Sequence, residues 1–338
     1  MVLTKKKIAS ALLLLVVLLM VTGALALSIG STRIPFMQVV SLVLGRFFPH
    51  QPLPSDVAVI LFGLRLPRIY LAMLVGMSLA VAGAGFQALL RNPLADPHVL
   101  GVSSGAALAA ILSIAFSRFI PLPLPIAAFI GGLITIFLVY SLGSRSGKTS
   151  PHTLILAGII AASFFSSIII FLEPFMSGHQ LREATFWLMG DFSGVHVPYL
   201  KWVAIAALAS VFLIYRLAGS LNVMLIGDRE ATHLGVNVEW VRRGVFVLSA
   251  LLTGLAVSVS GSIGFVGLIV PHLVRLLFGN DYRLLIPASA LVGAMLTVTA
   301  DLIARSVAAP IELPVGAITA LAGAPVFIYL LRRDRVEQ

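Results

Sequence analysis

The chain has 338 residues, of which 59% are hydrophobic and 11% are charged. A soluble domain carries about 25% charged residues, so this composition excludes a soluble or disordered protein and indicates an integral membrane protein. The net charge of +10 is better explained by a positive inner face than by a nucleic-acid partner. The sequence contains no cysteine, which excludes disulfides and thiolate metal sites.

The N-terminal region predicts a first membrane helix. An uncharged run, 8–32, follows Lys5, Lys6 and Lys7. Ala24-Leu25-Ala26 resembles a signal-peptide cleavage site, but the apolar core of a signal peptide spans only about 7–15 residues. The run is long enough to cross a hydrocarbon core of about 30 Å. We therefore predict that this helix is not cleaved.

Nine further crossings follow from the spacing of charged residues, because about 20 apolar residues span a bilayer. They are predicted at 69–90, 97–117, 119–144, 149–172, 196–215, 244–260, 265–278, 284–304 and 313–331. The stretch 244–274 is long for one crossing and short for two, and Ser260-Gly261-Ser262-Ile263-Gly264 divides it. The predicted fold class is therefore all-α: a polytopic membrane protein with about ten transmembrane helices in a single domain, 1–338.

The distribution of basic residues predicts that both termini are cytoplasmic. With that orientation, fifteen of the 23 lysines and arginines lie on the inner side and eight on the outer side, as the positive-inside rule requires. An inverted internal repeat is possible. Leu79-Ala80-Val81 with Pro97-His98 resembles Leu255-Ala256-Val257 with Pro271-His272, and such repeats are common in transporters.

The stretch 143–150, GSRSGKTS, resembles a phosphate-binding P-loop but lacks its spacing. A P-loop has four residues between its first glycine and Gly-Lys-[Ser/Thr], whereas three residues separate Gly143 from Gly147. Its neighbours are also predicted membrane helices rather than a strand and a soluble helix. We predict a polar inner loop that does not hydrolyse ATP.

Three segments carry unusual patterns of glycine, proline and charge. The first runs from Arg65-Leu66-Pro67-Arg68 through Asn92-Pro93-Leu94-Ala95-Asp96-Pro97, and it indicates a tightly packed hairpin. The second is 227–236, GDREATHLGV, within the longest inner loop, 216–243; it predicts a short helix outside the membrane that docks a partner. The third, 264–272, reads GFVGLIVPH and predicts helix breaks that are covered by protein or line a path.

Together these segments resemble the FecCD-type permeases of ABC importers for ferric siderophores, haem and cobalamin, over about 65–333. The resemblance implies a transport subunit rather than an enzyme. It would move a ferric siderophore or haem across the bacterial cytoplasmic (inner) membrane, with cobalamin as the alternative cargo. The implied partners are a second copy of the chain, two ATP-binding subunits, an extracytoplasmic substrate-binding protein and membrane lipid. The permease would have no cofactor of its own, since ATP and Mg²⁺ bind to the partner ATPase.

The same resemblance assigns three groups of residues. Coupling to the ATPase falls to Gly227, Asp228, Arg229, Glu230, Ala231, Leu234 and Gly235. Docking of the binding protein falls to Arg65, Arg68 and Arg305, whose alternative role is to anchor lipid headgroups. The cytoplasmic gate falls to Asn92, Leu94, Pro151 and His152. Pro151 and His152 depart from the small hydroxyl residues frequent in the family at these positions.

Two other functional classes have weaker support in the sequence. Asp301 and Glu312 are scarce intramembrane carboxylates, which can mark an ion-coupled secondary transporter. Both lie near the outer interface, however, and Arg305 is an i,i+4 partner for Asp301. No nucleophile–base pair supports an enzyme, and the seven histidines do not show metal-ligand spacing. Glu173 lies near an outer loop that could touch substrate.

Overall fold

A computed structural model describes residues 5–30, 32–47, 55–119, 121–145, 148–149, 151–194 and 197–334. Ten principal helices follow the chain. They are α1 Lys5–Ser28, α2 Leu66–Leu90, α3 Val102–Ala115, α4 Leu124–Gly143, α5 Pro151–Leu172, α6 Val197–Arg216, α7 Val238–Ser260, α8 Val266–Phe278, α9 Tyr282–Ala304 and α10 Val315–Asp334.

Shorter elements join these helices. The short helices are Phe36–Phe47, Ser55–Ala58, the π-helix Val59–Arg65, the 3₁₀ helices Pro97–Leu100 and Glu173–Phe175, and Gly178–Met189, Ala218–Met224 and Asp228–His233. Two-residue strands, Ser144–Arg145 and Lys148–Thr149, pair antiparallel between α4 and α5. The prediction of an all-helical membrane protein is confirmed, apart from this small hairpin.

Seven helices in the described residues are long and apolar enough to cross a membrane. One of these candidate spans, Asp56–Leu90, includes both the π-helix Val59–Arg65 and α2. Three more, α3, α8 and the apolar part of α10, are shorter apolar helices. All ten coincide in position with the predicted crossings. The number that span the bilayer and the side on which the termini lie stay predictions, as does the inverted repeat.

The centre of the fold is α2, which packs against α7, α8 and α9 and is buried along most of its length. Small residues allow the close approach of these helices. A Cβ atom at Gly76 would overlap the backbone of Gly293 in α9, and one at Gly83 would overlap Gly267 in α8. The glycines of α2 therefore determine how closely its neighbours pack.

The predicted break between the seventh and eighth helices is confirmed. The helix α7 ends at Ser260, and α8 begins at Val266 after Phe265, whose φ of 69° is left-handed. Gly261 also has a positive φ, and a side chain there would overlap the carbonyl of Trp187. The close approach of the segment 187–191 thus explains why glycine occupies this position.

The region expected to be an outer loop after α5 is instead largely helical. Ser177 and Gln180 form a capping box at the start of the helix Gly178–Met189. The Nε2 atom of Gln180 also donates hydrogen bonds to the carbonyls of Ile114 and Ala115, at 2.9 and 3.2 Å. This amide therefore caps the last turn of α3 as well as the first turn of its own helix.

Candidate functional site

The predicted docking helix in the inner segment is present, at Asp228–His233. It begins after Gly227, whose φ of 145° is one that residues with a side chain rarely adopt, and it is followed by Gly235 with φ 84°. Acidic residues in its first turn favour the helix dipole. Ala231 is fully buried and fixes the helix against the rest of the chain.

The exposed surface of the segment 225–235 combines charged and apolar side chains. Arg229 and Glu230 are exposed, as are Leu225, Ile226 and Leu234. An exposed apolar surface next to charged side chains is characteristic of a protein-binding site. The segment 225–235 therefore has the chemistry that a docking surface requires.

Asp228 connects this segment to two membrane helices. Its Oδ1 lies 2.6 Å from Nη2 of Arg91, the residue that ends α2, and its Oδ2 lies 2.9 Å from Nη2 of Arg242 in α7. The Nη2 atom of Arg91 also donates to the carbonyl of Met224 at 3.3 Å. The Arg91 pair is exposed, and exposed ion pairs contribute only about 0–1 kcal/mol, whereas the Arg242 side chain is only 14% exposed.

The turn that follows α2 starts at Arg91, whose backbone is left-handed with φ 48° and ψ 34°. Non-glycine residues adopt this conformation only when the surrounding contacts hold them there. Asn92 Oδ1 then accepts a hydrogen bond from the Leu94 amide at 2.9 Å, and Asp96 accepts one from the His98 amide at 2.8 Å. The turn 91–96 is thus a defined structure whose first residue is paired with Asp228.

Gln87 attaches the same turn to α8. Its Nε2 donates to the carbonyl of Leu268 at 3.1 Å and lies 3.4 Å from the carbonyl of Ala95. Its Oε1 accepts a hydrogen bond from Nη1 of Arg275 at 3.0 Å. A buried glutamine therefore joins the last turns of α2, the turn 91–96 and α8.

The residues predicted for the gate occupy two places. Leu94, which is half-buried, lines a small gap with Leu268 and Ile269 of α8 and Phe327 of α10. Pro151 is the first residue of α5, and His152 after it is exposed. Asn92 and Leu94 thus belong to one turn beside α8 and α10, whereas Pro151 and His152 lie at the start of α5.

The arginines predicted to dock the binding protein are buried. A partner could reach them only by placing a side chain inside the cavity that they line. Arg65, Arg68 and Arg305 are only 5%, 8% and 5% exposed. Arg65 donates to the carbonyls of Leu27 and Thr32, and Arg305 donates to the carbonyl of Ala26. The three guanidinium groups line a cavity of about 280 Å³ instead of projecting from the outer surface.

The two carboxylates that suggested ion coupling are paired with these arginines. Arg68 Nε lies 2.8 Å from Oδ1 of Asp301, and its Nη1 lies 2.8 Å from Oε2 of Glu312. Arg305 Nε lies 3.5 Å from Oδ2 of Asp301, as the i,i+4 spacing predicts. Asp301 is therefore a buried charge whose partners neutralise it, and that is the condition under which buried charges are stable.

The GSRSGKTS stretch forms the hairpin between α4 and α5. Ser144 pairs with Thr149 and Arg145 with Lys148, while residues 146, 147 and 150 lie outside the described part. A hairpin therefore separates α4 from α5, and the side of the membrane on which it lies stays a prediction. Among the described residues, no group of three or more His, Cys, Asp or Glu side chains could hold a metal ion.

Sequence reasoning missed Arg91, Arg242 and Gln87. Gln87 and Arg91 lie at or just after the end of α2, and their partners Arg275 and Asp228 are far away in the chain. Arg242 lies beside Arg243 and only 14 residues from Asp228. The Arg91–Asp228 contact spans 137 residues and the Arg275–Gln87 contact spans 188. The sequence offered one local signal, the position of Arg91 directly before Asn92. This position indicated the inner end of the crossing 69–90 but gave no partner for the arginine.

The long apolar helices of the described residues define a multi-pass membrane protein. The model of the FecCD transport family matches residues 18–333. The chain belongs to this family.

Three relatives and one solved structure show the extent of the similarity. The cobalamin import system permease protein BtuC of Halobacterium salinarum is 43% identical over 84% of this chain and 76% of its own length. The hemin transport system permease protein HmuU of Yersinia pestis is 42% identical, over 81% and 84%. The iron(3+)-hydroxamate import system permease protein FhuG of Bacillus subtilis is 36% identical, over 94% of each.

The solved structure is an inward-facing conformation of a metal-chelate type ABC transporter. It matches with a TM-score of 0.85 and 33% identity, and it covers 96% of this chain and 99% of that one. The relatives are permease subunits of ABC importers, so this chain is a transport subunit and not an enzyme.

Proposed function

We propose that this chain is the permease of a binding-protein-dependent importer that moves a ferric siderophore or haem across the cytoplasmic membrane of a bacterium. The observation that carries the proposal is the contact of Asp228 with Arg91, which joins the exposed inner segment to the turn after α2. Relatives that import iron hydroxamates and hemin support the choice of cargo. Cobalamin is the alternative, supported by the relative that imports it.

The proposed assembly contains two copies of the chain, two ATP-binding subunits and one extracytoplasmic binding protein. The chain itself would carry no cofactor, and ATP and Mg²⁺ would bind to the ATPase. The surface made by Leu225, Ile226 and Leu234 with Arg229 and Glu230 supports docking of that ATPase, because these side chains are exposed on the segment that Ala231 fixes to the fold.

For the gate, we infer that movement of the inner segment reaches the turn 91–96 through Asp228. Arg91 begins that turn in a left-handed conformation, and Leu94 lies three residues later against α8 and α10. A pull on the guanidinium of Arg91 would therefore change the backbone that carries Asn92 and Leu94. Pro151 and His152, at the start of α5, would form a separate part of the gate.

Docking of the binding protein at Arg65, Arg68 and Arg305 needs an acidic side chain to enter the outer cavity. Glu312 is the most exposed carboxylate paired with Arg68, with 46% of its side chain accessible, compared with 33% for Asp191 at 4.0 Å and 1% for Asp301. An incoming carboxylate would therefore exchange with Glu312 at Arg68 and leave the Asp301 pair intact.

The proposal is tested by a mild pull-down of the tagged chain with mass spectrometry and a visible absorption spectrum. Co-purification of an ATPase and a binding protein supports the importer. A Soret band indicates haem, a corrinoid spectrum indicates cobalamin, and a broad charge-transfer band indicates a ferric siderophore. Failure to recover an ATPase even after cross-linking contradicts the proposal.

A further inference from the structure

A polar cavity of about 300 Å³ lies between the first turn of α3, the C-terminal half of α5 and the break that precedes α8. Its polar lining consists of His98, Ser103, Ser104, Ser166, Glu173 and Ser262. None of these residues belongs to the groups proposed above for coupling, gating or docking.

The cavity borders two interruptions of the apolar helices, the start of α3 and the break before α8. The helix α3 has 14 residues, so it is about 21 Å long at 1.5 Å per residue and cannot cross a hydrocarbon core of about 30 Å. The Nε2 atom of His98 lies 2.9 Å from the carbonyl of Ile263, so the break before α8 sits beside the start of α3. Polar residues inside a membrane domain are expensive and characteristically line substrate pathways.

The inner end of the cavity is rich in hydrogen-bond donors. The first-turn amides of α3 have no partner within the helix, and the helix dipole makes this end electropositive. Ser103 is 4% exposed, and its hydroxyl is buried without a hydrogen-bond partner among the described residues. Ser104 follows it in the same turn. A buried, unpaired hydroxyl beside free amides favours an oxygen acceptor.

Glu173 is the one carboxylate among the described residues that line the cavity, and it lies at the other end. It is exposed and follows Ser166 by seven residues of α5 and its 3₁₀ extension, a distance of about 10 Å along the helix. Its charge therefore acts at the rim, where solvent screens it, more than at the first turn of α3.

We propose that this cavity is a cargo-contact site in which Ser103, Ser104 and the first-turn amides of α3 donate hydrogen bonds to a carboxylate or amide carbonyl oxygen at the periphery of a metal chelate. The inference rests on the proposed function, since it deepens the description of the cargo. The site has hydroxyl and amide donors in place of a bidentate arginine. That suits a path on which cargo must leave as readily as it enters.

The absence of cysteine from the sequence makes a clean labelling experiment available. Ser104→Cys and Ser166→Cys place single thiols on the cavity lining. Ser167→Cys is the matched control, because Ser167 is the exposed neighbour of Ser166 and its hydroxyl bonds the carbonyl of Ser163 instead. Serine and cysteine have similar volumes, and the monodispersity and thermal unfolding of each purified complex report whether the variant is folded.

The first readout compares two methanethiosulfonate reagents in the absence of cargo: an anionic one, the sulfonatoethyl compound, and a cationic one, the trimethylammonioethyl compound. The quantity measured is the rate of thiol modification by the anionic reagent divided by the rate with the cationic reagent. We expect this ratio to be about threefold higher at position 104 than at position 167, as a helix N-terminus predicts. An equal or lower ratio overturns the proposal. This readout does not depend on transport, so it tests the site even if the proposed function fails.

The second readout is protection by hemin, a ferric trihydroxamate or cyanocobalamin, each delivered with the binding protein. We expect the imported cargo to slow labelling at 104 and 166 about tenfold or more, as near-complete occupancy requires, and to leave 167 unchanged. Unchanged rates at 104 and 166 while the cargo is imported overturn the site. Equal protection of 167, or protection by anionic lipid in place of cargo, also overturns it. Failure of the unmodified complex to import any of the three contradicts the proposed function instead.

Discussion

Asp228 and Arg91 are 137 residues apart in the chain, yet their side chains meet at 2.6 Å between the inner segment and the end of α2. The same carboxylate binds Arg242 of α7 at 2.9 Å. One acidic side chain therefore joins the short helix Asp228–His233 to two membrane helices. This arrangement explains how a soluble partner could act on the membrane part without entering it.

Replacing Asp228 by Asn should uncouple transport while leaving the fold intact. The amide keeps a hydrogen-bond acceptor but loses the charge that holds Arg91 and Arg242. We expect uptake per ATP hydrolysed to fall about fivefold or more, which corresponds to a coupling free energy of about 1 kcal/mol. Thermal stability should change little, because the Arg91 pair is exposed and contributes about 0–1 kcal/mol, and the largely buried Arg242 keeps Glu239 as a partner at 3.6 Å.

A double-mutant cycle that combines Asp228→Asn with Arg91→Gln measures the contribution of the contact between these two side chains to transport. If the two side chains act through each other, the double variant should transport no worse than either single variant. Arg243→Gln, which alters another arginine of α7 without touching Asp228, should leave uptake per ATP unchanged. Additive losses would show that Asp228 and Arg91 act separately.

Exchanging the charges of Arg229 and Glu230 tests the docking surface. The double variant Arg229→Glu with Glu230→Arg preserves net charge, and both side chains are exposed. Expression and monodispersity should therefore be normal, whereas ATPase association and uptake should fall, because complementary charges set partner choice. Uptake equal to that of the parent chain would remove this surface from the coupling mechanism.

The outer cluster provides a test of docking through Arg68. The variant Glu312→Gln removes the negative charge that competes for Nη1 of Arg68, keeps a weaker amide acceptor in its place, and leaves the buried pair with Asp301 intact. We expect the affinity for the binding protein to rise about two- to fivefold at low ionic strength and the gain to disappear at high salt. Glu183→Gln, an exposed carboxylate on the helix Gly178–Met189, serves as the control. An affinity that does not respond to Glu312→Gln would assign the arginines a structural role only.

Two glycine-to-alanine variants should change stability in opposite directions. At Gly83 a new methyl group would overlap the backbone of Gly267, so Gly83→Ala should destabilise the fold by about 1–3 kcal/mol. At Gly219, in the short helix Ala218–Met224, only Arg283 lies within 4 Å of the new Cβ, at 3.9 Å. Gly219→Ala should therefore stabilise by about 0.5–1 kcal/mol. The two variants are compared by their thermal unfolding temperatures in the same detergent. Equal shifts of this temperature relative to the parent chain would contradict the packing of α2 against α8.

The sequence predicted the parts of this fold that depend on local chemistry. Apolar length predicted the ten principal helices, and Ser260-Gly261-Ser262-Ile263-Gly264 predicted the break before α8. The helix Gly178–Met189 was missed because its residues are only weakly apolar and its cap, Ser177 with Gln180, reaches back to α3. The burial of Arg68 was missed because its partners Asp301 and Glu312 lie 233 and 244 residues away. Contacts of that separation leave no periodic signal in a single sequence.

Uptake into proteoliposomes tests the central claim most directly. The chain is reconstituted with its ATPase and binding protein, ion gradients are collapsed with ionophores, and hemin, ferric trihydroxamate and cyanocobalamin are supplied in turn. We predict that one of these accumulates with ATP and Mg²⁺ and that a non-hydrolysable ATP analogue abolishes the accumulation. Accumulation that needs no ATP and follows an imposed ion gradient, with loss in Asp301→Asn, would contradict the account and identify a secondary transporter.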